Sequence, residues 1–240
     1  MSKHTRVTLE EQFRKALYLI KNENLRKFAY VSLVDYAPLA FWEIPAAFAA
    51  GCHNENEKAI GEIVLNGDEY VVTKLGGKAW HTLRVVNIAN TIIDSDDSIV
   101  WDYTRTKEKG RFEGSEMNSI YADICITACI LHDIFSLNEG LEWRENKHRG
   151  MDKNHPYYHR TELEEVAKRL LPPSVWDLLL YAIESHMWKW SPQPELIPRR
   201  TSMLSMSSVE DAYNFSEMYR VIEVVHIADL LAAQKEFTGF

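Results

Sequence analysis

Asn118-Ser-Ile-Tyr-Ala-Asp-Ile-Cys-Ile-Thr-Ala-Cys-Ile-Leu-His-Asp-Ile-Phe135 reads as a dense apolar helix that closes on a histidine and an aspartate. A helix apolar on most sides belongs inside a core rather than on a surface. An unpaired carboxylate buried at its end costs several kcal/mol, so Asp133 requires a cationic partner. Asp229 poses the same problem within Val224-Val-His-Ile-Ala-Asp-Leu-Leu. Both readings point to an interior that holds charge.

Working outward, the apolar spacing predicts helices through most of the chain. Thr8 to about Ala50 reads as helix, with Phe13, Ala16, Leu17 and Ile20 on a dry face and Gln12, Lys15 and Lys21 on a wet one. Its end, from Ala37 to Ala50, is apolar enough to be buried or to form an oligomer contact. Gly67-Asp68 between Ile63-Val-Leu65 and Tyr70-Val-Val72 predicts a short β-hairpin. Gly76-Gly77 then precedes a helix from near Lys78 that stops at Asp94-Ser-Asp-Asp97. A polar stretch with Gly110 and Gly114 follows, a lid or partner surface in character. Beyond residue 135 comes a charged loop, Asn138 to Asn154, then a helix from about Pro156 to Leu171. After Pro172-Pro173 a further helix runs from Ser174 to about Trp188, and a last one from Val209 to about Phe237. The expectation is an all-α protein with a small β-hairpin insertion, divided into an N-terminal helical segment (residues 1–75) and a core domain (residues 76–240).

The composition narrows the class. With 35 acidic against 27 basic residues in 240, the net charge is −8. Bulk nucleic-acid binding needs a Lys and Arg excess and is excluded. A single nucleotide or a short strand end in a basic pocket remains compatible. The three cysteines form no CxxC pair and read as small buried hydrophobes of a reducing compartment. Met1-Ser-Lys-His opens a polar segment, and no apolar run approaches the roughly 20 residues that span a bilayer. A cytoplasmic location without a membrane partner is expected.

Five elements set His or Asp in apolar surroundings: His81, His132-Asp133, the His155/His159 pair, His186 and Asp229. Imidazoles mixed with carboxylates suit a first-row divalent metal such as Mn, Fe, Co, Ni or Zn. One or two such ions would answer both carboxylates at once.

The order His…His-Asp…His…His…Asp resembles the HD-domain superfamily over about residues 76 to 236. Gly76-Gly-Lys-Ala-Trp-His81-Thr-Leu-Arg-Val is similar to its first-ligand motif, and Leu131-His-Asp-Ile134 to its signature. Ile183-Glu-Ser-His186-Met-Trp-Lys-Trp and Val225-His-Ile-Ala-Asp229-Leu-Leu-Ala-Ala resemble the helices of its fourth histidine and final aspartate. The resemblance implies one metal on His81, His132, Asp133 and Asp229. Asp133 would bridge to a second metal on His186 and one of His155 and His159. The apolar spacing after His159 favours His159, while His155-Pro156 resembles a variant of the same motif. Upstream, Pro45-Ala-Ala-Phe and His53-Asn54 before Gly76-Gly77 resemble the lead-in of some 3′–5′ exoribonuclease HD domains.

That family implies a metal-dependent phosphohydrolase. A metal-lowered water pKa would give hydroxide near neutral pH, with Asp133 positioning the nucleophile. A histidine outside the ligand set, His155 or His53, would protonate the leaving group. The implied substrate is a phosphoester or phosphoanhydride of a nucleotide or short oligonucleotide. Phe135-Ser136 stands where many hydrolytic members carry a phosphate-binding lysine. Arg84, His53 and Lys153 are the substrate-binding residues expected instead, with Arg144, Lys147 and Arg149 nearby in sequence to Lys153. Trp80, Trp188 and Trp190 would stack on a base or pack in the core. The same ligand set also serves di-iron oxygenases acting on small polar or phosphonate substrates. A non-catalytic, nucleotide-binding module is the third reading. Homo-oligomerisation is compatible with all three.

Overall fold

The computed structural model describes residues 13–38, 41–42, 62–66, 69–74, 77–95, 115–136, 154–188, 191, 193 and 209–234. In chain order the elements are α1 (residues 13–19), α2 (Glu23–Val31), β1 (Glu62–Asn66), β2 (Glu69–Lys74) and α3 (Gly77–Ser95). They continue with α4 (Ser115–Leu131), α5 (His155–Glu162), α6 (Glu164–Leu170), α7 (Pro173–Ser185) and α8 (Val209–Ala232). The chain is an all-α bundle with one antiparallel hairpin, β1–β2, that pairs Asn66 with Glu69 and Val64 with Val71. The predicted turn residues Gly67 and Asp68 lie outside the described residues. Among the described residues no helix is long and apolar enough to cross a membrane.

The core is organised around α4, which packs against α2, α3, α7 and α8. Every residue from Asp123 to Ser136 is buried, as its all-round apolar sequence requires. Cys125 and Cys129 are fully buried free thiols within it. Helix starts follow local chemistry. Asn22 caps α2 by accepting from the N–H groups of Asn24 and Leu25 at 3.0 and 3.1 Å. Pro156 and Pro173 occupy the first turns of α5 and α7, where no backbone N–H is needed.

Two expected elements are broken. The long N-terminal helix divides at residues 20–22, and the cause is tertiary: Asp123, buried on α4, accepts from Lys21 N at 2.9 Å and Asn22 N at 2.6 Å. Burial pushes its carboxyl above the usual range, against the pull of those two N–H groups. After α2 the chain tightens into a π-helical turn, Ser32–Tyr36. Phe41 and Trp42 then fold back onto Phe13, with ring centroids 6.3 and 5.5 Å away. These two residues are therefore buried within the chain, while residues 43–50 lie outside those described. The other break falls at Leu163, whose backbone (φ −109°, ψ 0°) separates α5 from α6. Its N–H still bonds His159 O and its carbonyl still accepts from Ala167, so the chain bends there without losing its ladder.

Replacing Asp123 with Ala leaves two N–H groups at the α1–α2 turn without their acceptor. The variant should unfold with a stability loss of about 1–3 kcal/mol. A thermal or urea midpoint unchanged from wild type would show that the turn does not depend on this carboxylate.

Candidate metal centre

The last regular bond of α4 runs from His132 N to Ala128 O at 2.8 Å. The chain then coils tightly, with Ile134 N on Leu131 O and Ser136 N on Asp133 O, both at 3.1 Å. His132 and Asp133 thus leave the carbonyl end of a buried helix in two directions. His186 stands at the equivalent place on α7, one residue past its end. Helix C-termini carry roughly half a negative charge each, so two of them converging here favour a cation.

Three histidines use one local device. His132, His159 and His186 each direct Nδ1 to the carbonyl three residues back: Cys129 O at 2.8 Å, Pro156 O at 3.1 Å and Ile183 O at 2.6 Å. A carbonyl only accepts, so in His132 and His186 the proton sits on Nδ1. Their Nε2 lone pairs are left for the interior. In His159 the shorter contact is to Leu131 O, 2.7 Å from Nε2, so Nε2–H is spent on the α4 backbone. Its ring also packs edge-on against Phe135 at 4.8 Å.

The side chains gather into two groups, each with ligand atoms within 4.8 Å of one another: His81, His132 and Asp229, and Asp133, His155 and His186. In the first, His81 Nε2 lies 2.8 Å from Asp229 Oδ1, and His132 Nε2 lies 3.6 Å from the same oxygen. In the second, Asp133 Oδ1 lies 2.9 Å from His155 Nε2 and 3.9 Å from His186 Nε2. The rings of His132 and His186 are 5.1 Å apart, so the groups are contiguous. The single peptide link between His132 and Asp133 joins them. Asp229, with its side chain 25% exposed, is the member that solvent reaches; the second group is wholly buried.

Charge in the centre is balanced by contact. Burial pushes the Asp133 carboxyl up, but the Lys78 ammonium, then His132 and His155, override it and hold the group well below the usual range. Burial likewise opposes ionisation of Asp229, and His132 and His81 overcome it. His186 is pushed down to about 3 by burial and by its histidine neighbours. At neutral pH both aspartates are ionised and His186 is neutral, the states in which they donate to a metal.

Of the residues expected from sequence, His81, His132, Asp133, His186 and Asp229 come together. His159 does not: it is buried a turn away and committed to Leu131 O, and His155 takes the expected place beside His186. The reason is rotational. His155 opens α5 next to Asp133, whereas the one-turn offset puts His159 under the end of α4. That also removes His155 from the role of a leaving-group acid standing outside the ligand set. Arg84 is half-buried on α3, one turn beyond His81. His53, Arg144, Lys147, Arg149 and Lys153 lie outside the described residues. Sequence reasoning missed Lys78, which is 3% exposed and places Nζ 2.5 Å from Asp133 Oδ2. The signal was its position three residues before His81, on the same helical face.

Four imidazoles and two carboxylates form a donor set that first-row divalent ions favour. Two of its atoms, His132 Nε2 and Asp133 Oδ1, are sealed from solvent without a hydrogen bond. Buried polar atoms in that state are costly, and metal coordination is what would satisfy them here. The geometry is that of a histidine–aspartate metal centre at the heart of a helical bundle. The HD domain model matches residues 79–234, and the chain belongs to the HD domain family, within a superfamily of metal-dependent hydrolases. Comparison with curated proteins and with solved structures finds no significant match in either set.

His155→Ala should lower metal content measured by elemental analysis, whereas His159→Gln should retain it. The His159 variant should instead show a pH effect. Burial depresses His159 from its ordinary 6.5 to about 4. The unfolded chain therefore takes up this proton first, and stability present above about pH 6.5 is lost as pH falls towards 4. Denaturation midpoints across that window should drop less steeply in His159→Gln than in wild type. Equal metal loss in the two variants would reverse the assignment.

Proposed function

We propose that this protein is a metal-dependent phosphohydrolase that cleaves a phosphoester or phosphoanhydride of a nucleotide or short oligonucleotide. The observation that carries this reading is the pair of three-residue clusters joined through His132–Asp133. One or two divalent transition metals (Mn, Fe, Co, Ni or Zn) held by these six residues would supply a Lewis acid for phosphate oxygens and acidify a bound water.

The remaining chemistry belongs to the chain. The Nδ1–H bonds to Cys129 O and Ile183 O fix the rings of His132 and His186 before any ligand arrives, so no reorientation is needed on binding. Substrate approaches from the side of Asp229, where the site meets solvent. Trp80, 37% exposed beside His81, offers an aromatic face on that helix for a base. Arg84, one turn further along α3, is assigned to the phosphate, with His53 and Lys153 as further phosphate contacts. With His155 in the ligand cluster and His159 sealed against α4, leaving-group protonation falls to water entering beside Asp229. Residues 76–240 form the catalytic unit of this proposal and residues 1–75 its N-terminal support.

The test is hydrolysis of a panel of nucleoside mono- and triphosphates, a bis(nitrophenyl) phosphodiester and short oligonucleotides with Mn, Co or Ni, aerobically and without oxygen. Turnover independent of oxygen is expected. Asp133→Ala should lose on the order of 100-fold or more, at or beyond the loss caused by removing an outer partner of a ligand. Iron-bound protein that turns over only with oxygen would replace this reading with the oxygenase.

A further inference from the structure

Lys78 sits where the two clusters meet. Its ammonium and the Asp133 carboxylate are 4% and 5% exposed, and Nζ contacts Oδ2 alone among the two oxygens at 2.5 Å. Asp133 Oδ2 is also the oxygen 3.6 Å from His132 Nε2, whereas Oδ1 is the one directed at His155. The lysine therefore takes the oxygen on the His132 side and leaves the other to the buried cluster.

We propose that Lys78 is a built-in cation that makes the two metal positions unequal. The Asp133–His155–His186 position is the tight one, and the His81–His132–Asp229 position is weak and exchangeable. This rests on the metal-dependent reading above. An ion in the second position loses Asp133 as a fourth protein ligand and meets an ammonium already seated on that carboxylate, a like-charge contact. It also sits against the solvent-exposed edge of the site at Asp229, which eases exchange. An anionic phosphate offers Lys78 another partner. When it draws Nζ away, Oδ2 is released and the weak position gains its missing ligand. Substrate binding and loading of the second metal are therefore coupled, with the lysine as the moving part.

The experiment is calorimetric titration of Mn²⁺ into the metal-stripped full chain, for wild type, Lys78→Met and Lys78→Arg. Wild type should show two steps at least about tenfold apart in affinity, a difference well within what one like-charge contact can impose. Lys78→Met should tighten the weak step about tenfold or more and leave the tight step nearly unchanged. Lys78→Arg should keep the wild-type separation. Inorganic phosphate should tighten the weak step of wild type and not that of Lys78→Met. A second readout needs no variant: the Mn²⁺ electron paramagnetic resonance spectrum of wild type should show isolated ions at one equivalent. Spin-coupled pairs should appear only when the second step fills. Coupled pairs at the first equivalent, or a weak step indifferent to Lys78→Met, would overturn the proposal while leaving the metal centre intact. Failure of every form to take up Mn²⁺, Co²⁺ or Zn²⁺ would overturn both.

Discussion

Two ionised carboxylates inside an apolar bundle are the constraint to which the rest of the architecture answers. Neither Asp133 nor Asp229 is tolerable there without positive or proton-donating neighbours. Helix α3 brings Lys78 and His81, α4 ends in His132, α5 opens on His155, and α7 ends at His186. Each of the helices packed around the end of α4 contributes one such group, so the apolar contacts among them and the polar centre are consequences of one arrangement. That explains why so much of the site is rigid before anything binds. The histidines are held by packing on one side and by a backbone carbonyl on the other.

The all-α class and five of the six clustered residues were legible in the sequence, because a histidine or carboxylate in an apolar run is an anomaly that demands an answer. Asp123 met the same criterion, as a lone carboxylate inside the apolar word of α4, and went unread. It answers to two backbone N–H groups rather than to a metal, and nothing local announces that. Its effect reaches back over a hundred residues and divides what the apolar spacing shows as one N-terminal helix. Propensity cannot anticipate a break imposed from another element.

The choice between His155 and His159 was not legible for a different reason. The two lie one turn apart, on the same face, with similar words around them. Only the seating of α5 against the end of α4 separates them, and that seating depends on the bend at the buried Leu163. Lys78 was missed because lysine near a helix start is ordinarily solvated. A buried lysine is informative only beside a buried carboxylate, and the two stand 55 residues apart in sequence.

One further feature ties backbone strain to the centre. Trp188, two residues after His186, has a positive φ of 48°, an uncommon conformation for a bulky residue that costs on the order of 1–3 kcal/mol. Its indole stacks on His226 at 5.3 Å with the planes 24° apart, and meets Tyr219 edge-on at 5.9 Å. His226 in turn donates from Nδ1 to the carbonyl of His186 at 2.7 Å. The strained turn is thus clamped by aromatic packing onto α8, and α8 returns a hydrogen bond to the residue that the turn must hold. Since α8 also carries Asp229, one helix positions a member of the first cluster directly and a member of the second through its backbone. Displacing α8 would therefore disturb both metal positions together, whereas displacing α5 would reach only the buried one.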